Sequence, residues 1–245
     1  MQKDIGAIIP VKNESGNVIE MVIAAANVQL LTQIVFIDGN SSDGTMEVLT
    51  EAIMKYGDER MSQVNQMAPY NKFSAIRQAH NLLNSDHILI WDGDNTIQFN
   101  DVCKMIDVYK KESEKKPVFL VANRITKIRE DNSFRMMNLV GNHLFSFLTW
   151  PILNTRLSDV LSGVKIFPAS LFNSTNCTRI LARDQFGDIT LLSFARKNSL
   201  KFMQVPCSYK ARTYGSSNIS RLNGGFNIFR TIFHLYSHRC YVDYK

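Results

Sequence analysis

Two aspartates one residue apart close the segment His87-Ile88-Leu89-Ile90-Trp91-Asp92-Gly93-Asp94. A short unbroken apolar run reads as a strand buried on both faces, and here it runs directly into charge. While the backbone stays extended, residues two apart project to the same side, so Asp92 and Asp94 can share one cation, with Gly93 permitting a close turn between them. Two hard oxygen donors suit Mg²⁺ or Mn²⁺. An isolated D-x-D is equally an ordinary strand-to-turn ending, because Asp and Gly favour turns. What the rest of the chain brings to the same place decides between them.

The elements that must position this pair are written upstream in the same form. An apolar run at 5–10 opens onto Val11-Lys12-Asn13-Glu14-Ser15-Gly16, and helical periodicity follows over 17–30. A second run at 34–37 ends in Asp38-Gly39-Asn40-Ser41-Ser42-Asp43-Gly44-Thr45, with a helix over 46–56. A weaker strand at 62–66 and a helix over 73–83 precede the strand that ends at Asp92. This alternation predicts an α/β fold with a mostly parallel sheet flanked by helices. Ligands bind such sheets outside the strands' carboxyl ends, where three strands deliver Asn13 and Glu14, then Asp38, then Asp92 and Asp94. Neither G-x-G-x-x-G nor G-x-x-x-x-G-K-[ST] is present, and a metal on Asp92 and Asp94 would hold phosphates instead.

Composition narrows the class. The 245 residues, 45% hydrophobic and 20% charged, are ordinary for a globular chain, without low-complexity tracts. Four widely spaced cysteines form no C-x-x-C pair, which argues against a zinc site or a disulfide framework. The start lacks a secretory h-region, and the stretch 136–153 is interrupted by Asn138, Asn142, His143 and Pro151; a cytoplasmic protein without a membrane span is expected. Residues 196–245 hold nine Lys or Arg against Asp243, so +8 sits there while the whole chain carries +6. A basic final fifth suits phosphate or a membrane surface, and no nucleic acid is expected as partner.

Three motifs in order and spacing now support a resemblance. Ile8-Ile9-Pro10-Val11-Lys12-Asn13-Glu14 is similar to the V-I-P-x-x-N-E opening of family 2 glycosyltransferases of the GT-A fold. Residues Ile37 to Thr45 resemble that family's V-D-[DG]-x-S-x-D-G-T, and Asp92-Gly93-Asp94 stands where it places D-x-D. Ala122-Asn123-Arg124, Asp159-Val160-Leu161-Ser162-Gly163 and Arg212-Thr213-Tyr214-Gly215-Ser216-Ser217 resemble its later segments. Within that family the chain looks similar to polyprenyl-phosphate sugar synthases and lipopolysaccharide or capsule transferases. The resemblance implies one GT-A domain over 1–245, with a nucleotide-sugar-binding half at 1–123 and an acceptor-binding half at 124–245 that ends in an amphipathic helix.

It also implies roles. Pro10, Asn13, Glu14 and Asp38 would line the nucleoside pocket of a UDP- or GDP-sugar, with Asp38 accepting from the base. Asp92 would approach ribose and the metal, Asp94 would ligate the metal, and Arg124 would bind phosphate through its fork unless it belongs to a solvated loop. Asp159 and Ser162 would shape the acceptor side or serve as caps, and Asp43 is open between a cap and a site role. Asp188 holds the position of the general base that a hydroxyl acceptor needs, or it caps the helix running to Lys197; a phosphate acceptor needs no base. Arg212 and Arg221 would give cationic ends to a mobile loop that closes over the donor.

Two apolar stripes remain. One groups Leu139, Leu144, Phe145, Phe147, Leu148 and Trp150; the other groups Phe226, Phe229, Ile232, Phe233 and Tyr236 beside Arg230, His234 and Arg239. Such stripes fit a core or a homodimer seam, and the basic charge adds a peripheral membrane contact. The chain ends without the transmembrane helices of many polyprenyl-phosphate relatives, which shifts the expectation toward a lipid-linked glycan acceptor or a peripheral enzyme. A nucleotidyltransferase would need a basic Gly-rich loop where 11–16 offers only Lys12, and intact Asp92 and Asp94 argue against a silent nucleotide-sugar-binding module.

Overall fold

The computed structural model describes residues 4–125, 132–173, 184, 186–212, 214–215 and 221–237. Strands and helices alternate through β1 (Ile5–Val11), α1 (Val18–Asn27), β2 (Gln33–Asp38), α2 (Thr45–Tyr56), β3 (Met61–Asn65), α3 (Lys72–His80), β4 (His87–Ile90), α4 (Phe99–Ser113) and β5 (Val118–Asn123). Then follow α5 (Asn132–Leu153), β6 (Lys165–Pro168), a 3-10 turn at Ala169–Asn173, α6 (Asp188–Lys197), β7 (Lys201–Pro206) and α7 (Arg221–Ser237). The strands form one sheet in the order β3-β2-β1-β4-β6-β5-β7. All neighbours are parallel except β6, which runs antiparallel to both β4 and β5.

Successive strand residues point to opposite faces, and the two faces collect separate cores. Ile5, Ala7, Ile9 and Val11 of β1 pack with Met21 of α1, Leu49 of α2 and Met105 of α4. Ile8, with Val35 and Ile37 of β2, faces Ile76 of α3, Phe145 of α5, Leu192 of α6 and Ile232 of α7. The mostly parallel α/β architecture is the one the alternation predicts. Helix ends move by a few residues, α1 stopping at Asn27 and α3 at His80, where terminal turns fray. No described helix is long and apolar enough to cross a membrane.

The reversed strand matters for function. Because β6 runs against β4, Lys165 at its start lies beside Ile90 at the end of β4. The residues entering β6 therefore reach the same sheet edge as the polar ends of β1, β2 and β4. The sheet also crosses the boundary between residues 123 and 124, since β6 separates β4 from β5. Strands from 1–123 and from 124–245 thus share one sheet.

Residue 188 opens α6, and the turn before it is tightly determined. Gly187 has φ +76, a left-handed conformation, and an added Cβ there would lie 1.9 Å from the Phe73 ring. Capping is done by Asp184, which accepts from the backbone N–H groups of Phe186, Gly187 and Thr190 at 3.1, 2.9 and 3.2 Å and from Thr190 Oγ1 at 2.6 Å. Asp188 is thus left to point elsewhere. Asp184→Ala, which strands these buried donors, should cost about 2–3 kcal/mol in urea unfolding. A loss below about 0.5 kcal/mol would contradict this role.

Candidate active site

The loops after β1 and β2 are stitched together by side chains. Asp38, almost wholly buried at the end of β2, accepts from Ser41 Oγ at 2.5 Å and from Ser41 N at 2.9 Å. Ser41 Oγ in turn accepts from Asn13 N, and Asn13 Oδ1 accepts from Ser42 N, both at 2.9 Å. Asn13 adopts φ 54, a left-handed conformation that Asn tolerates better than most residues. Pro10 stands beside Ile37 in the same edge. Both oxygens of Asp38 are therefore engaged in holding its own loop, each keeping a further lone pair for a ligand.

Asp43 proves to be a fastener. It accepts from Thr45 N at 3.1 Å at the start of α2, from Thr45 Oγ1 at 2.5 Å and from Ser15 N at 3.2 Å. Thr45 Oγ1 accepts from Glu14 N at 2.9 Å, which fixes the backbone of Glu14. The Glu14 carboxylate is buried, accepts from Asn17 Nδ2 at 2.5 Å and lies 3.4 Å from Arg212 Nη1. Burial outweighs both partners and pushes its pKa up to about 6.

Arg212 also reaches Asp94, its Nη2 lying 2.6 Å from Asp94 Oδ2. Asp94 Oδ1 accepts from Thr96 N at 3.2 Å and from Thr96 Oγ1 at 2.8 Å. One guanidinium therefore stands between carboxylates from the β1 and β4 loops. Tyr214 secures the same segment: its hydroxyl accepts from Ser15 Oγ at 2.9 Å. Its ring covers Gly16, where a Cβ would fall 2.3 Å away. The segment expected to be mobile is thus docked at 212 and 214. The Arg221 side chain and residues 216–220 lie outside what is described.

Asp92 turns to a different cation. Its Oδ1 is 2.5 Å from Lys72 Nζ at the start of α3, and Gly163 fits against it so closely that a Cβ would come 2.0 Å from Oδ2. Burial would raise its pKa, but Lys72, with Lys165 and Arg124 beyond, holds it below the usual carboxylate value. Asp92 thus pairs with Lys72 and Asp94 with Arg212. Extended backbone stops at Ile90, so the two-residue alternation does not carry through to them.

Behind this pair lies a second one. Lys165 is fully buried, with Nζ donating to Ser162 O and standing 2.6 Å from Asp188 Oδ1. Burial raises the Asp188 pKa against the pull of Lys165 and Lys72, and burial lowers that of Lys165. Arg124 follows the end of β5. Its fork is spent on Asp159, with Nε at 2.8 Å and Nη2 at 2.9 Å, and its backbone N–H donates to the same carboxylate at 3.0 Å. Asp159 and Ser162 are fully buried and so do not line an open acceptor surface. Ser162 Oγ has no hydrogen-bond partner among the described residues.

Three residues here escaped the sequence reading. Lys72 opens a helix, where the dipole disfavours a cation, and that misfit was its signal. Lys165 interrupts the apolar run Val164-Lys165-Ile166-Phe167, and a lysine there is seldom buried without a partner. Asp184 offered no pattern distinct from any polar loop.

Comparison with known proteins places this arrangement. Glucosyl-3-phosphoglycerate synthase from Mycobacterium tuberculosis, solved with Mn²⁺ and UDP, superposes with TM-score 0.69 at 15% identity over 95% of this chain and 79% of that one. Mannosyl-3-phosphoglycerate synthase from Rubrobacter xylanophilus gives TM-score 0.67 at 18% identity over 99% and 76%. The fold is the GT-A fold of glycosyltransferases. Residues 7–175, more than half of the chain, match the family model Glycosyl transferase family 2, and the chain belongs to that family as a glycosyltransferase. Similar relatives include glycosyltransferase AglJ of Haloferax volcanii, 26% identical over 92% of this chain and 70% of that protein. A UDP-N-acetylglucosamine–dolichyl-phosphate N-acetylglucosaminyltransferase of Methanococcus voltae is 23% identical over 93% and 94%. An undecaprenyl-phosphate 4-deoxy-4-formamido-L-arabinose transferase of Edwardsiella ictaluri is 23% identical over 87% and 62%.

The raised pKa of Glu14 has a signed consequence. A native value of about 6 against an ordinary 4.5 means that the folded state binds the proton more tightly. Stability therefore falls as pH rises through that window, and above it the charged form costs about 2 kcal/mol. In EDTA, Glu14→Gln should unfold at higher urea than the parent at pH 7 and at the same urea at pH 4. Equal midpoints at pH 7 would contradict the burial of this charge.

Proposed function

We propose that this chain moves a sugar, with inversion, from a UDP- or GDP-sugar to a lipid-linked acceptor in a Mg²⁺- or Mn²⁺-dependent reaction at the cytoplasmic face of a membrane. The observation that carries the reading is the Arg212 guanidinium held between Glu14 and Asp94. It is a positive charge occupying the place among carboxylates where a donor diphosphate and its metal would sit. Pro10, Asn13, Glu14 and Asp38 serve as the nucleoside pocket. Residues 1–123 supply most of the donor side, and residues 124–245 supply the acceptor side together with Arg212.

The donor set fits such a metal. Asp92 and Asp94 offer only hard oxygens, and no group of three or more His, Cys, Asp or Glu forms a metal cage among the described residues. Mg²⁺ is commonly held by one or two carboxylates with the rest of its shell from water and substrate phosphates. When bound, the metal neutralises charge on the leaving nucleoside diphosphate. Arg212 can turn from the carboxylates to the diphosphate, while Tyr214 over Gly16 keeps the segment closed against water.

For the acceptor, two relatives are named for undecaprenyl and dolichyl phosphate. A phosphate acceptor is already an anion and needs no base, which suits an Asp188 with one oxygen engaged by the Lys165 ammonium. A sugar hydroxyl is the second reading, favoured by the burial that raises the proton affinity of Asp188. Labelled UDP- and GDP-sugars offered with purified polyprenyl phosphate separate the two. Acid-labile glycosyl phosphate is the expected product, and transfer only to a neutral glycolipid would overturn it.

Asp94→Ala should reduce transfer by at least about 10² and abolish the metal-stimulated part of donor binding in calorimetry, with a melting temperature within about 3 °C of the parent. Unchanged turnover at ordinary metal concentration would refute the metal reading.

A further inference from the structure

Helix α5 is apolar on both faces, with Phe145 and Leu153 turned into the core. Its buried face carries Asn142, Ser146 and Thr149, none more than 6% exposed, while Val140, Leu144, Phe147 and Trp150 on the outer face are 48% to 65% exposed. The inner polar groups fix this orientation. Asn142 donates to Asp159 Oδ1 at 2.7 Å and accepts from Val160 N at 3.2 Å, and Ser146 Oγ donates to Leu157 O. Rotating the helix to bury its outer face would strand these groups, so the outward face is built in.

Helix α7 extends the same surface. It packs on α5, with Tyr236 OH donating to Leu148 O at 2.7 Å, and it presents Phe226, Phe229 and Phe233 outward at 51% to 67% exposure. Arg230 lies in the same outward stripe. Neither helix contains an Asp or Glu. By contrast, the exposed Ile19 and Ile23 of α1 flank Glu20, as solvated faces usually do. Large outward aromatic and aliphatic side chains without acidic neighbours fit a surface that is apolar inside and negatively charged at its rim.

We propose that the outer faces of α5 and α7 dock on an anionic lipid bilayer. Phe147, Trp150, Phe226, Phe229 and Phe233 enter the headgroup–acyl boundary, and Arg230 meets lipid phosphate. Docking there anchors the catalytic centre from behind, because Asn142 on the inner side of α5 holds Asp159, which clamps Arg124. Docking requires neither donor nor acceptor and is independent of the catalytic role.

The chain carries its own probe. Of its two tryptophans, Trp91 is fully buried and Trp150 is 48% exposed. The full chain is mixed with vesicles of phosphatidylcholine alone or enriched in phosphatidylglycerol, and fluorescence, co-sedimentation and lipid-free molar mass are recorded. Trp150 emission should shift to the blue and the protein should sediment with the phosphatidylglycerol vesicles. The double variant Phe147→Ser and Phe229→Ser should lose at least about tenfold in binding without a change in melting, and Arg230→Gln about fivefold on the charged vesicles alone. Met54→Ser, on the other side of the sheet, should change nothing. Absence of both shift and sedimentation would overturn the proposal. So would a blue shift that appears without lipid together with a doubled molar mass, which would make the face a seam between two copies.

Discussion

Carboxylates cannot be crowded at one sheet edge unless cations are placed among them. Glu14, Asp92, Asp94 and Asp188 gather there, and each stands within salt-bridging distance of a cation: Arg212 for Glu14 and Asp94, Lys72 for Asp92, Lys165 for Asp188. The pairs are not equivalent. Lys165 and Asp188 are deep, where separating the partners would leave an uncompensated buried charge. Arg212 is partly exposed, and the contact it makes with Glu14 is long, so it is the cation best able to yield its place. An edge with such an exchangeable cation suits the proposed role of receptor for an anion that brings its own metal.

The backbone is arranged around that balance. Reversal of β6 brings Lys165 beside the end of β4, and the space over Gly163 lets the Asp92 carboxylate lie against the chain. The tight turn at Gly187, capped by Asp184, releases Asp188 toward Lys165. On the opposite flank, Asp43 and Thr45 hold Glu14 in register with the β2 loop. Each of these devices costs conformational freedom and places one charged atom.

Much of this was legible because it is local. Apolar runs ending in polar residues marked β1, β2 and β4, and the clusters at Asn13, Asp38 and Asp94 fell at the edge that the parallel alternation implies. The reversal of β6 was not legible, since four residues carry no direction and Lys165 hides their apolar character. The partnerships of Arg124 and Asp92 were not legible for a related reason. Motif position indicates that a charge stands near a ligand, but the fork of Arg124 is claimed by Asp159, 35 residues away, and only the folded chain reveals it. The apolar stripes of α5 and α7 were visible in sequence, yet helical spacing alone does not say which face turns inward. Asn142 settles that by bonding to Asp159.

If Arg212 holds the place of a diphosphate and its metal, metal affinity must depend on the nucleotide. Titrating Mn²⁺ into the protein while following its paramagnetic resonance, with and without UDP or GDP, measures this directly. The account predicts weak binding to the protein alone and at least about tenfold tighter binding with one of the two diphosphates, since the phosphates complete the shell and displace the guanidinium. Mn²⁺ binding that is equally tight without nucleotide, or that neither diphosphate changes, would contradict it.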